Sequence, residues 1–310
     1  VLLSKALKRP VKVIYTREDD FANDYFRPAS QCQIKAGLDK NGRLVGWSHK
    51  VAAPSVWSRI APQMVKNGVC PDAVSGLWDM PYSIPNQLVN YVMVNLPIPV
   101  GFWRSVGFSV NVFAVESFID ELAHAAGKDP IQFRLAHMEK GSRPYNILSL
   151  LAEKGGWNRP VPAGRARGVA VNSCFESFAA HLAEVSVDAV GAVPVHKMVC
   201  AIDCGTAVYP DAIRAQAEGG VVMGMSTAFH ERVRFENGGV KTVNYDDYPV
   251  LSMSQVPEIE VHIAKSNLKA GGVGEPVLPS VAPAVSNAVF SATGVRLREL
   301  PFQRELLIKG

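Results

Sequence analysis

Three stretches of the 310-residue chain carry side chains able to hold a ligand or move a proton. The first, Ala270-Gly271-Gly272-Val273-Gly274-Glu275-Pro276, sets one carboxylate behind three glycines. Such glycines let a backbone turn sharply and approach a ligand closely. A lone carboxylate ahead of a mostly apolar, proline-primed helix is partly withdrawn from water, the setting a general base needs near neutral pH. The plainer alternative is a glycine turn followed by an acid that suits the helix dipole. The second stretch, Pro210 to Gly220, opens an apolar helix and contains Gln216, whose amide offers donors and an acceptor to a heterocycle edge. It reads equally as a surface glutamine beside a packing glycine pair. The third, Pro99 to Gly107, holds Trp103 and Arg104 ahead of the clearest helix. There a forked guanidinium and a helix end suit a phosphate, or Trp103 is core and Arg104 ordinary surface.

The elements that must position these residues follow from periodicity. An apolar face of Leu2, Leu3, Ala6 and Leu7 predicts an N-terminal helix, read as the end of a longer one, and Val11 to Tyr15 a short buried strand. Gln31 to Leu38 and Leu44 to Ala52 form a predicted hairpin across Asp39-Lys40-Asn41-Gly42. Pro54 to Pro85 reads as a long ordered loop, and Gln87 to Asn95 as a strand. Helices are expected over Val110 to Ala126, capped by Gly127, then from Asp129-Pro130, then over Tyr145 to Lys154. Trp157 to Gly168, rich in Pro, Gly and Arg, divides the chain into 1–156 and 157–310. Beyond it come strands at Gly168 to Ser173, His181 to Asp188 and His196 to Asp203, and a helix over Asp211 to Phe229. Strands near Glu231 to Phe235 and Glu258 to Ala264 precede a last helix over Ser280 to Ala292. Strands and helices fall in runs, which predicts an α+β fold with mixed sheets.

Composition narrows the chemistry. The hydrophobic fraction is 48% and the charged fraction 19%, values of a folded globular chain. The long uncharged run Pro276 to Gly294 is broken by Pro279 and Pro283, so no membrane-spanning segment is expected. The net charge of +4 and the clusters Lys5, Lys8, Arg9, Lys12 and Arg165, Arg167 lack interleaved aromatics and read as solvated surface, not a nucleic-acid site. Cys32, Cys70, Cys174, Cys200 and Cys204 include no Cys-x-x-Cys pair, which argues against a disulfide framework, a zinc ribbon or an iron–sulfur cluster on this chain. The seven histidines show no metal-binding spacing, and no Walker loop or nucleophile elbow is present.

Taken in order, the three stretches resemble the molybdenum-binding subunits of the xanthine dehydrogenase family. Arg9 to Asp20, reading RPVKVIYTREDD, is similar to a family signature, and Glu116 to Pro130 to the helix after the arginine loop. Gly271 to Pro276 with Ala282-Pro283-Ala284, and Thr293-Gly294 to Leu300-Pro301-Phe302, look like the isoquinoline 1-oxidoreductase branch. The resemblance implies water-dependent hydroxylation of an N-heteroaromatic compound or an aldehyde, with Glu275 the base beside molybdenum. Gln216, Gly272, Val273, Gly274, Trp103 and Arg104 would border the cofactor. The expected cofactor is molybdopterin cytosine dinucleotide, whose dithiolene holds the metal without a direct protein ligand. Electrons would pass to [2Fe-2S] clusters on a small partner subunit, with a cytochrome c as candidate onward acceptor.

The two divisions would be the end of the first molybdopterin-binding half and a second half carrying the catalytic glutamate. A family segment, Gly-Gly-Gly-Phe-Gly, is expected upstream of Val1, so the chain reads as a C-terminal part that is inactive alone and needs the preceding part of the same polypeptide. A periplasmic site is expected, the cytoplasm being the alternative. One departure stands out: better-known members have glycine and phenylalanine where this chain has Ser105 and Val106. A substrate-stacking ring therefore does not carry over to Val106. The rival readings are a cofactor-free folding or interaction module, and a paralogue that keeps the fold without activity.

Overall fold

The computed structural model describes residues 1–308. Helix α1 (Leu2–Leu7) and helix α2 (Arg17–Asn23) begin the chain. Strand β1 (Gln31–Leu38) and strand β2 (Leu44–Ala53) form the expected antiparallel hairpin. Its turn is fixed by Asp39, whose Oδ1 accepts the N–H groups of Asn41 and Arg43 at 2.8 and 2.9 Å, while Gly42 takes φ 67°. The long loop follows, interrupted by α3 (Trp57–Ile60) and short 3-10 turns, and anchored by buried Leu77, Met80 and Tyr82. It returns as β3 (Gln87–Met93), parallel to β2.

Helix α4 (Phe108–Ala125) is followed by α5 (Pro130–Ala136) and α6 (Arg143–Lys154). Asp129 caps α5 by accepting the N–H groups of Ile131 and Gln132, and Pro130 stands where no amide is needed. A second sheet contains β4 (Ala166–Cys174), β5 (Ser177–Val185) and β6 (Val195–Asp203), paired antiparallel in sequence. Helix α7 (Pro210–Phe229) leads through the two-residue strands β7 (Phe235–Glu236) and β8 (Gly239–Val240) to β9 (Glu258–Ile263), parallel to β6. Helix α8 (Val281–Thr293) then crosses β4 and β5. Mixed sheets packed with helices make the fold α+β, as the segregated runs predict.

Two expectations fail. Val11 to Tyr15 is no buried strand: it is irregular and open, with Val13 53% and Ile14 75% exposed, because no neighbouring strand pairs with it among the described residues. Glu231 to Phe235 is mostly irregular, with only Phe235 and Glu236 paired to β8. In both places apolar residues suggest a strand, but a strand also needs a partner edge.

Burial of charge sets the relation between the helices that matter for function. Glu116 on α4 accepts Arg134 Nε at 3.0 Å, the Val171 N–H at 2.9 Å and the Tyr82 hydroxyl. Both Glu116 and Arg134 are buried, and Arg134 also lies 3.6 Å from Asp120. Burial alone would lower Arg134, but the charges of Glu116, Tyr82 and Asp120 carry it above its ordinary value. Asn287 on α8 donates to the carbonyls of Glu116 and Val169 at 3.3 and 3.0 Å. Removing one partner of such a set leaves a desolvated charge, so α4, α5, β4 and α8 are held in one arrangement. The loop before α4 and the loop before α8 are thereby brought to the same place.

Candidate functional site

The three stretches meet. Arg104 donates from Nε to the Gly274 carbonyl at 2.5 Å, and from Nη2 to the Gln216 side-chain oxygen and carbonyl at 2.9 and 3.3 Å. Burial holds this guanidinium below the usual arginine value, while the nearby Glu275 carboxylate acts in the opposite direction. Ser105 grips Glu275 twice: its N–H donates to Oε1 at 3.0 Å and its hydroxyl to the Glu275 carbonyl at 2.7 Å. Glu275 is half-buried, and Oε2 has no hydrogen-bond partner among the described residues.

The local backbone explains why these side chains stay in place. Ser105 and Val106 adopt φ 72° and 42°, the left-handed region that β-branched residues avoid. Such a conformation persists only where surrounding bonds over-determine it, and the two bonds from Ser105 do so. Below the Glu275 loop, Asn172 on β4 donates to the Pro276 carbonyl at 3.1 Å, and His181 on β5 pairs with the Ser280 hydroxyl at 2.8 Å. Val273 turns its side chain inward against Ile213, Ala217 and Val277. Of the glycine pair of α7, Gly220 has a packing role, since a Cβ there would fall 2.4 Å from Val277 Cγ2, while one on Gly219 would meet nothing within 4 Å.

Not every predicted residue joins this cluster. Trp103 belongs to the same loop but lies beneath the Arg27 guanidinium, 4.1 Å from its ring centroid. With Arg27 it lines two cavities, neither of which is lined by Arg104, Gln216 or Glu275. The smaller of the two is also lined by Val106 and Gly107 of the same loop. Sequence reading missed Ser105 as the holder of Glu275, and Asn172 as the support beneath it. Neither residue type announces such a bond; only the doubly positive φ, invisible in sequence, sets Ser105 apart.

The donor set fits an anionic, heterocyclic group. Among the described residues no acceptor meets the main-chain N–H groups of Val273, Gly274 and Glu275, or the Gln216 side-chain amide nitrogen. Successive unpaired N–H groups make a concavity suited to negative charge. The Gln216 amide adds a directed donor beside it. Gly272 differs, because its N–H is already given to the Phe175 carbonyl at 2.9 Å.

Comparison with known proteins agrees with this geometry. The family description "Molybdopterin cofactor-binding domain" matches residues 1–138 and, in a second form, residues 122–257. Glu275 lies beyond both. The chain is 34% identical to the beta chain of the isoquinoline 1-oxidoreductase of Brevundimonas diminuta, over 97% of this chain and 39% of that protein. It is 32% identical to a component of the nicotinate dehydrogenase of Pseudomonas putida, over 98% of this chain and 28% of that protein. It thus spans about two-fifths or less of the length of these two relatives. Its fold matches the aldehyde oxidoreductase from Desulfovibrio desulfuricans with a TM-score of 0.83 and 15% identity, over 99% of this chain and 51% of that one. On the two domain matches and the near-complete alignment to these relatives, the chain belongs to the molybdenum-binding subunits of the xanthine dehydrogenase family.

Proposed function

We propose that this chain is the base-carrying part of a molybdenum hydroxylase that inserts a water-derived oxygen into an N-heteroaromatic substrate, an aldehyde being the alternative. The reading rests above all on one observation: Glu275 is fixed by Ser105 at a point where Arg104 also ties its loop to Gln216. Gln216 and the N–H groups of Val273 and Gly274 would hold the cofactor, proposed to be molybdopterin cytosine dinucleotide. When bound, that group supplies the redox change, accepting two electrons from the substrate and releasing them to [2Fe-2S] clusters on a partner subunit.

The chain's own residues do the rest. Ser105 holds Oε1, so Oε2 is the atom that takes the proton. Arg104 is a brace, since Nε and Nη2 are already engaged by Gly274 and Gln216. Trp103 anchors the loop by stacking on Arg27. The heteroaromatic reading takes support from the two relatives named for isoquinoline and nicotinate, and the aldehyde reading from the solved structure named for an aldehyde oxidoreductase.

Glu275→Gln in the full-length, cofactor-loaded complex tests the assignment. Turnover should fall by about 10²–10⁴-fold, the range a positioned general base contributes, while molybdenum and pterin content stay at the wild-type level. Turnover retained at full cofactor content would remove Glu275 from this role.

A further inference from the structure

We propose that the smaller of the two cavities beside Trp103 is a built water site, in which a few ordered waters join Arg27, Asp72 and Asn111 against the loop that carries Ser105. The cavity measures about 40 Å³. That suffices for a small cluster of water and falls well short of the roughly 150 Å³ that accommodates benzene. Three side chains lining it keep a buried polar atom without a hydrogen-bond partner among the described residues: Arg27 Nε, Asp72 Oδ2 and Asn111 Oδ1. Asn111 is fully buried. Burial raises the Asp72 carboxyl from its ordinary value, with only the Trp57 indole acting against it. A polar atom left buried and unbonded costs about 1–3 kcal/mol, and three of them around one cavity point to a shared occupant. The set comprises one donor and two acceptors, carried by a cation, a carboxyl and an amide. A bound anion would meet Asp72, and a bound cation would meet Arg27. Water both donates and accepts, so it suits all three.

The cavity touches the loop on either side of Ser105 in the chain, being lined by Trp103, Val106 and Gly107. Each of its three polar anchors belongs to a different segment. Arg27 stacks on Trp103 and donates from Nη2 to the carbonyl and hydroxyl of Ser109, at 3.2 and 3.1 Å. Asn111, on α4, donates from Nδ2 to the carbonyls of Ala73 and Ser75 at 3.0 and 2.8 Å, so its oxygen is the atom left over. Asp72 belongs to the long loop, and its main chain is pressed to Gly107, where an added Cβ would fall 1.6 Å from the Asp72 carbonyl oxygen. A bridging water is nearly as favourable in enthalpy as a direct hydrogen bond. The cluster therefore joins the chain before β1, the long loop and the start of α4 into one support for the residues that flank Ser105. Much of the lining is apolar, Pro54, Val56 and Phe102 among it, which makes a dry cavity the rival. An apolar cavity stays dry and takes xenon instead.

The test is a crystal structure of the full-length, cofactor-loaded complex, solved once from untreated crystals and once under xenon pressure. Ordered water should lie about 2.7–3.2 Å from Arg27 Nε, Asp72 Oδ2 and Asn111 Oδ1, linking all three directly or through a second water, and xenon should stay out. In Asp72→Val, which removes the acceptor at similar bulk, the water beside position 72 should disappear from the density. Xenon in the cavity, a side chain from elsewhere in the polypeptide filling it, or water that misses any of the three atoms would overturn the proposal. Water unchanged in the Asp72→Val structure would overturn it as well, since the carboxylate would then be no part of the site.

Discussion

At the scale of single residues, the site depends on a serine in a glycine-like conformation. Ser105 stays at φ 72° because its N–H and hydroxyl both end on Glu275. Ser105→Ala keeps the unfavourable φ and strands the Glu275 carbonyl, so it should destabilise by about 1–2 kcal/mol. Ser105→Gly loses the same bond but relieves the backbone, by about 1–2 kcal/mol, against a smaller entropy cost in the unfolded chain. The glycine variant should therefore be the more stable of the two in urea titrations. The reverse order would mean that the left-handed conformation at position 105 carries little strain for a residue with a Cβ. Glu275, Gln216 and Arg104 were legible in the sequence as a glycine-hinged acid, an amide and a forked cation. Their convergence was not, since Arg104 and Gly274 are 170 positions apart and the bond between them is a product of the fold. For Trp103 the sequence places the residue in this loop without saying which neighbour it takes, and the fold sets it against Arg27.

At the scale of elements, α8 and β4 approach so closely that backbone meets backbone. A Cβ on Gly168 would fall 2.1 Å from the Ala288 nitrogen and 2.4 Å from the Ala284 carbonyl oxygen. Neither atom is the end of a flexible side chain, so Gly168→Ala would push the whole helix off the sheet, at about 3 kcal/mol or more. Because Glu275 and Pro276 lead directly into α8, the same variant should loosen the carboxylate. Gly46→Ala on β2 is the control, since nothing lies within 4 Å of its added Cβ. It should change stability by less than about 0.5 kcal/mol. Equal effects in the two variants would show that close packing is not what Gly168 is for. The helices were legible because their apolar residues recur at helical spacing and Gly or Pro punctuates them. Val11 to Tyr15 was misread because alternation and β-branching describe a side-chain surface, not the presence of a neighbour.

At the scale of the whole molecule, each of the two larger sheets carries a histidine that must stay neutral. His49 on β2 and His181 on β5 are fully buried, and burial lowers them to about 4 and about 3. One core cluster joins residues on both sides of position 156, from Trp47 and Ile119 to Leu182 and Val199, so the two sheets share a core. Both histidines have folded values below the unfolded one. Their stabilising effect is thus complete above about pH 6.5 and is lost as pH falls, because the unfolded chain binds the extra protons. His137 and His196 are also lowered, by burial first, and act in the same direction. Carboxylates such as Glu184 and Asp203, held low against their burial by Arg165, Arg167 and Arg143, lose their effect only nearer pH 4, where unfolded carboxylates titrate. The interval from pH 6.5 to 5 therefore reports the histidines. Each of the two buried ones should remove on the order of 2 kcal/mol by pH 5, read as a falling urea midpoint. Substituting both by Gln should flatten most of that slope, whatever it does to the midpoint at pH 7. A slope unchanged in the double variant would mean that acid opens the molecule elsewhere, before either sheet core is protonated.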